Sequence, residues 1–162
     1  MILYINTSQR ENIEFAIIKD REVFLLQKNT GLKQSEQALF LLDSFLKKNK
    51  IKLSNISRIV VNRGPGSFTA VRLGIVLANT LSFALNIPVV GVDNLELKNK
   101  EDYLGLSKLK FGKDFIKPYY DREPDITKSK KIVSIKPAFA KASPCASASE
   151  DGSARQEVRS KY

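Results

Sequence analysis

Residues 73–92, LGIVLANTLSFALNIPVVGV, run for twenty positions without a charged side chain. A stretch this apolar is buried somewhere, either in a bilayer or in a protein core. Asn79, Thr80, Ser82 and Asn86 interrupt it and Pro88 breaks a helix near its end, so the pattern predicts a buried helix over residues 68–85 and a buried strand over 88–92, not a membrane span. SRIVVN at 57–62 reads as a further strand. The three pieces make a β-α-β unit whose strands are parallel and joined by a right-handed crossover.

Upstream, residues 2–6, 13–18 and 22–27 are short and β-prone, and the polar turns QREN and KDR separate them. This predicts three antiparallel strands joined by two hairpins. Over residues 34–49, Ala38, Leu41, Leu42 and Phe45 recur at helical spacing, Leu39 and Leu46 widen the stripe, and Lys47 and Lys48 suit the C-terminal dipole. The order β-β-β-α-β-α-β describes an α/β fold, a mixed five-stranded sheet with packed helices, as in actin-like ATPase and ribonuclease-H-like lobes. Residues 98–131 read as a short helix plus extended chain. From 138 to 149 the sequence AFAKASPCASAS is mostly Ala and Ser and the remainder is polar, so residues 136–162 are expected to form a low-complexity tail without packed structure.

Composition narrows the chemistry. The 162 residues contain no histidine and one cysteine, Cys145. That removes disulfide frameworks, the usual zinc sites, Ser-His and Cys-His nucleophiles and imidazole acid-base catalysis. No catalytic residue and no metal site is expected. The net charge of +10 and sequence pI near 9.7 suit contact with RNA or another polyanion, and equally a plain solvated basic surface. MILYINTSQRENIE turns polar too early for a secretory leader, which points to the cytoplasm.

The loop between the predicted strand and helix, RGPGSFTAVR at 63–72, admits several readings. Gly64, Gly66 and Ala70 satisfy G-x-G-x-x-G/A after a strand, and Asp93 ends the next strand, a formal dinucleotide fingerprint. Three antiparallel strands before it, and too little chain after it, argue against that use. A nucleophile elbow would need G-x-S-x-G and a later histidine, both absent. Ser67 reads better as a helix N-cap, with Thr69 taking that role if the helix starts later, and Pro65 and Gly66 make the turn. On that reading Ser67→Ala costs about 1 kcal/mol.

Three segments together carry a resemblance. ILYINTS at 2–8, RGPGSFTAVRLG at 63–74 and LNIPVVGVDNLE at 85–96 are similar, in order and spacing, to segments of the TsaB family (YeaZ-like, within the Gcp-like, peptidase M22-like group). The resemblance implies a degenerate actin-like lobe acting as a non-catalytic scaffold subunit in tRNA threonylcarbamoyladenosine synthesis. The implied partners are a TsaD-like catalytic subunit and a TsaE-like ATPase, with tRNA reached through the complex and a homodimer when the partner is absent. No cofactor is expected on this chain alone; ATP and magnesium belong to the partner subunits. The family's partner-binding helices match residues 34–49 and 68–85, which nominates Ala38, Leu39, Leu42, Phe45, Leu46, Val71, Ile75, Ala78 and Asn79 for the interface. Arg63, Gly64, Pro65, Gly66, Ser67, Thr69 and Arg72 then form a structural loop, its two arginines free for an acidic partner or tRNA.

The chain departs from the family pattern in several places. Asn6 stands where the family usually has Asp, Gln34 and Ser35 where it often has His-Ser, and Ala70 where it has Gly. An amide is a poorer partner than a carboxylate for a metal-phosphate. The second lobe is expected to be reduced to residues 98–135 beside an N-terminal lobe of 1–97, with PYYDREP at 118–124 resembling the family's closing strand. Two other function classes stay open on the residues alone. One is a nucleotide-binding enzyme with Arg63, Gly64, Gly66, Ser67 and Thr69 as phosphate cradle; the other is a general RNA-binding protein working through residues 132–162.

Overall fold

The computed structural model describes residues 1–93, 95 and 97–121, all within one compact unit, Met1–Pro124. Five strands form its sheet: β1 (Ile2–Asn6), β2 (Asn12–Lys19), β3 (Glu22–Asn29), β4 (Arg58–Asn62) and β5 (Val89–Val92). Their spatial order is β3-β2-β1-β4-β5, antiparallel from β3 to β1 and parallel from β1 to β5. Helices α1 (Gln34–Lys48), α2 (Phe68–Leu85) and α3 (Lys100–Gly105) complete the described regular elements, with short 3₁₀ turns at Leu53–Asn55 and Leu106–Lys108.

Strand alternation divides the core into two layers. Leu3, Ile5, Ile13, Phe15, Ile17, Ile59 and Val61 face α1 and α2. Ile2, Tyr4, Ala16, Ile18 and Val60 face the other way, against Tyr103 and Leu106. Strands β1, β2 and β4 are apolar on both sides because both sides are covered, whereas the edge strand β3 is largely exposed. This corrects the expected division of the chain. Residues 98–108, assigned from sequence to a remnant second lobe, supply the cover for the sheet's second face and belong with the first unit. Residues 122–135 and the 136–162 tail, Cys145 included, lie outside the described residues.

By length and composition α2 would suffice to cross a membrane, but it lies on the sheet with Val71, Ile75 and Ala78 in the core. It ends at Asn86, whose left-handed backbone (φ 52°) lets its N–H return to the carbonyls of Ser82 and Phe83. At Gly74 the helix passes close to the end of β1: a Cβ there would run into Thr7 Oγ1, which donates to the Ala70 carbonyl at 2.6 Å. At the start of α1, buried Gln34 donates through Nε2 to the carbonyls of Gln9 (2.8 Å) and Asn12 (2.7 Å). One amide thereby fastens the helix to the first hairpin.

Candidate interaction site

The glycine loop is closed by its own chain. Gly64 N donates to Asn62 Oδ1 at 3.1 Å, Ser67 N to the Ser8 carbonyl at 2.9 Å, and Tyr119 N to the Arg63 carbonyl at 2.8 Å. Both glycines are required by close approach: a Cβ on Gly64 (φ 119°) would meet the Tyr119 carbonyl oxygen, and one on Gly66 the Ser8 carbonyl oxygen. Ser67 is the N-cap residue of α2, as its position predicts, yet its hydroxyl makes no capping hydrogen bond. What holds Ser67 in place is its main-chain N–H, which donates to the Ser8 carbonyl. Ala70 sits in the first turn of α2, where no positive φ is needed.

The two arginines are engaged, contrary to their expected freedom. Arg63 grips Asp93 through Nε (2.5 Å) and Nη2 (2.7 Å), and hydrogen bonding to that carboxylate raises the guanidinium pKa above its ordinary value. The acid suggested by the dinucleotide pattern is therefore spent on the loop itself. Arg72 donates through Nε to the Tyr120 hydroxyl at 2.8 Å, and its guanidinium lies 3.8 Å from the centroid of the Phe68 ring. Residues 118–121 form no strand, the expected match to a closing strand notwithstanding. They act as a buttress for the loop.

At the end of β1, Asn6 shows why an amide suits this chain. Its Oδ1 accepts from the Ser8 amide (3.1 Å) and hydroxyl (2.8 Å) while Nδ2 donates to Glu14 Oε2 at 3.3 Å. An aspartate would set a second carboxylate against Glu14. Glu14 also accepts from the Tyr103 hydroxyl, which draws α3 onto the sheet. Tyr4, beneath it, is fully buried; among the described residues its hydroxyl is the buried side-chain polar atom without a hydrogen bond. Burial first, then the Glu14 charge, push its pKa well above the ordinary tyrosine value.

The interface residues nominated from sequence are redistributed. Ala38, Leu42, Phe45 and Leu46 of α1, and Val71, Ile75 and Ala78 of α2, are buried against the sheet. The stripe that marks each helix as amphipathic is its core face. Asn79 instead clamps residue 116, donating to the Ile116 carbonyl and accepting from its amide, both at 3.0 Å. Leu39 alone of the nine stands out in solvent, with Phe40 on the same helix and Val76 and Phe83 on α2, their exposures running from 62% at Val76 to 78% at Phe83. Between the helices lies a groove of about 420 Å³ lined by Leu39, Leu42, Leu46, Ile51, Leu53 and Leu81. Sequence reasoning missed Phe40 and Val76; the available signal was their position opposite each stripe, where polar residues are normal.

Among the described residues no cluster of carboxylates or cysteine could hold a metal ion. The glycine loop is a fastening, and the exposed surface it leaves is the outer side of α1 and α2.

Comparisons with known proteins agree with this geometry. The family model for TsaD, tRNA N6-adenosine threonylcarbamoyltransferase, matches residues 29–108. The chain is 30% identical over 97 residues to the tRNA threonylcarbamoyladenosine biosynthesis protein TsaB of Buchnera aphidicola subsp. Schizaphis graminum, covering 60% of this chain and 46% of that protein. It is 37% identical over 97 residues to the Bacillus subtilis protein of the same name, covering 59% and 42%. The solved structure of YeaZ from Pseudomonas aeruginosa superposes with a TM-score of 0.55 at 29% identity, over 58% of this chain and 44% of that one. The chain thus spans under half the length of these relatives. The mixed sheet and the helix-launching glycine loop are both in place, and over about three fifths of its length the chain is similar to proteins of the TsaB/YeaZ family.

Proposed function

We propose that this chain is a non-catalytic scaffold subunit for synthesis of threonylcarbamoyladenosine in tRNA, holding and activating a TsaD-like transferase on the outer face of α1 and α2. The observation that carries the reading is the bare apolar face of Leu39, Phe40, Val76 and Phe83 beside the Leu42–Leu46–Leu81 groove. The relatives' names supply the pathway. The missing histidine and the internally satisfied loop favour support over catalysis. On this reading the protein works in the cytoplasm, a TsaE-like ATPase joins the assembly, ATP and magnesium sit in the partner subunits, and tRNA is reached through the complex. Without the partner, the same face pairs two copies of the chain.

Co-expression with the TsaD-like subunit followed by size-exclusion chromatography tests it. Wild type should co-elute, and Leu39→Glu with Val76→Glu should release the partner while leaving the chain folded. Co-elution undiminished by charges on both helices would remove the interface from this face. Calorimetry of the isolated chain with ATP and magnesium should give no heat of binding; micromolar affinity would favour the nucleotide-binding class.

A further inference from the structure

The stretch FGKDFIKPYY, residues 111–120, sets four aromatic rings among two lysines. Phe111 packs beside the second sheet layer with Arg58 over its ring, whereas Phe115 and Tyr119 are 66% and 47% exposed. Their backbone is nevertheless fixed. Gly112 exchanges hydrogen bonds of 2.8 and 3.3 Å with Val89, Asn79 holds both backbone groups of Ile116, and Tyr119 N donates to Arg63. The strip continues onto α2, where Tyr120 stacks on Phe68 at 5.0 Å between centroids and Arg72 lies over Phe68. Ile116 on the core and the buttress beneath the glycine loop account for the fixed backbone, but not for the exposure of Phe115 and Tyr119.

We propose that Phe68, Arg72, Phe115, Lys117, Tyr119 and Tyr120 form a contact surface for unpaired RNA. Exposed rings on a fixed backbone offer stacking faces to successive bases, and nearby cations meet the phosphates. Arg72 uses Nε on Tyr120, which leaves the terminal nitrogens of its fork for a phosphate. Asp114 and Asp121 lie in the same strip and Asp93 is neutralised by Arg63, so local charge is nearly balanced while the whole chain, at +10, attracts a polyanion. Stacking therefore carries the binding and its salt dependence is shallow, unlike that of a purely basic segment. The inference deepens the scaffold reading, on which it rests for the RNA being tRNA.

The test uses the full chain, fluorescence anisotropy, and a labelled unpaired RNA oligonucleotide beside the same sequence as duplex. Wild type should prefer the single strand. Phe115→Ala and Tyr119→Ala should each weaken that binding roughly tenfold, Tyr119→Trp should restore it, and Lys117→Ala should reduce the logarithmic salt slope by about 0.7. Thermal unfolding should stay unchanged, because both rings are exposed. Equal binding of single strand and duplex, or ring variants that bind like wild type, would overturn the proposal. So would ring variants that lose the TsaD-like subunit and keep RNA, since the strip would then be a protein contact. Conversely, a wild-type chain that fails to co-elute with that subunit yet binds RNA through these rings would defeat the scaffold reading and leave the strip standing.

Discussion

The glycine loop and the outer face of the two helices carry opposite signals in sequence and in space. The loop has the composition of a ligand cradle, and its polar contacts close within the chain: Asn62 on Gly64, Ser8 on Ser67, Asp93 on Arg63, Tyr120 on Arg72. The helices carry ordinary leucines at core spacing, and what lies off that spacing is bare apolar surface. Hydrogen-bond closure, more than residue type, decides whether a motif is available to a ligand. For a helix, the residues outside the stripe are what a partner can reach.

The largest difference in stability is expected between inner and outer positions of the same helices. Leu42→Glu and Ile75→Glu each place a carboxylate among buried side chains and should cost about 4 kcal/mol or more, enough to unfold a chain of ordinary stability. Leu39→Glu and Val76→Glu should change stability by less than about 0.5 kcal/mol. Urea denaturation of the four variants distinguishes the two groups. Matching midpoints across all four would mean that the assigned core and outer faces are wrong.

On the loop side, Gly64→Ala combines a left-handed φ of 119° with a Cβ directed at the Tyr119 carbonyl, and should destabilise by roughly 2–3 kcal/mol. Gly31 provides the control: its φ is also positive, at 57°, but no atom lies near its missing Cβ, so Gly31→Ala should cost only about 1 kcal/mol. If the two variants unfold at the same denaturant concentration, the contact between loop and buttress contributes nothing beyond backbone strain.

Most of the fold was legible because it rests on local pattern. The uncharged run at 73–92, the helical spacing over 34–49 and the glycine loop were enough for the element order, with α2 placed at 68–85 as observed. What was not legible depends on pairs distant in sequence. Asp93 looks like a ribose-binding acid until Arg63 is seen on it, and Tyr120 has no visible tie to Arg72, 48 positions away. The site was read less well than the fold for the same reason. Periodicity marks which residues leave water, and without the sheet in view Leu42 facing the core and Leu39 facing solvent look alike.

The second face of the sheet allows a milder test, since it buries a hydroxyl that makes no hydrogen bond of ordinary geometry. Tyr4→Phe removes that hydroxyl, which has only the Asn6 and Asn62 side chains to compensate it, and should change stability by between zero and about 1 kcal/mol in the stabilising direction near neutral pH. The sign of its pH dependence follows from the raised pKa values. Tyr4, through burial and then Glu14, and Tyr103, through burial and then its bond to Glu14, hold their protons more tightly folded than unfolded. Their contribution is complete below the unfolded value of about 10 and declines above it, by up to roughly 1.4 kcal/mol per pH unit for each group. Denaturation between pH 9 and 11 should therefore show a shallower alkaline loss in Tyr4→Phe than in wild type. Parallel curves would mean that Tyr4 ionises as readily in the fold as outside it.

The smallest effect belongs to the residue that sequence marks most clearly as a cap. Ser67→Ala would cost about 1 kcal/mol if the hydroxyl satisfied an amide of α2. With no such bond in place, and with the Ser67 N–H donating to Ser8 whatever the side chain, the loss should stay below about 0.5 kcal/mol. Ser67→Pro keeps a compatible φ, since Ser67 sits at −61°, but deletes that amide, and should cost about 1 kcal/mol more than the alanine variant. Paired chemical denaturation of the two variants decides which atom fastens the loop. A proline variant as stable as alanine would place the fastening elsewhere, on Asn62 or on the Tyr119 buttress, while a full 1 kcal/mol loss for alanine would restore the hydroxyl as the cap.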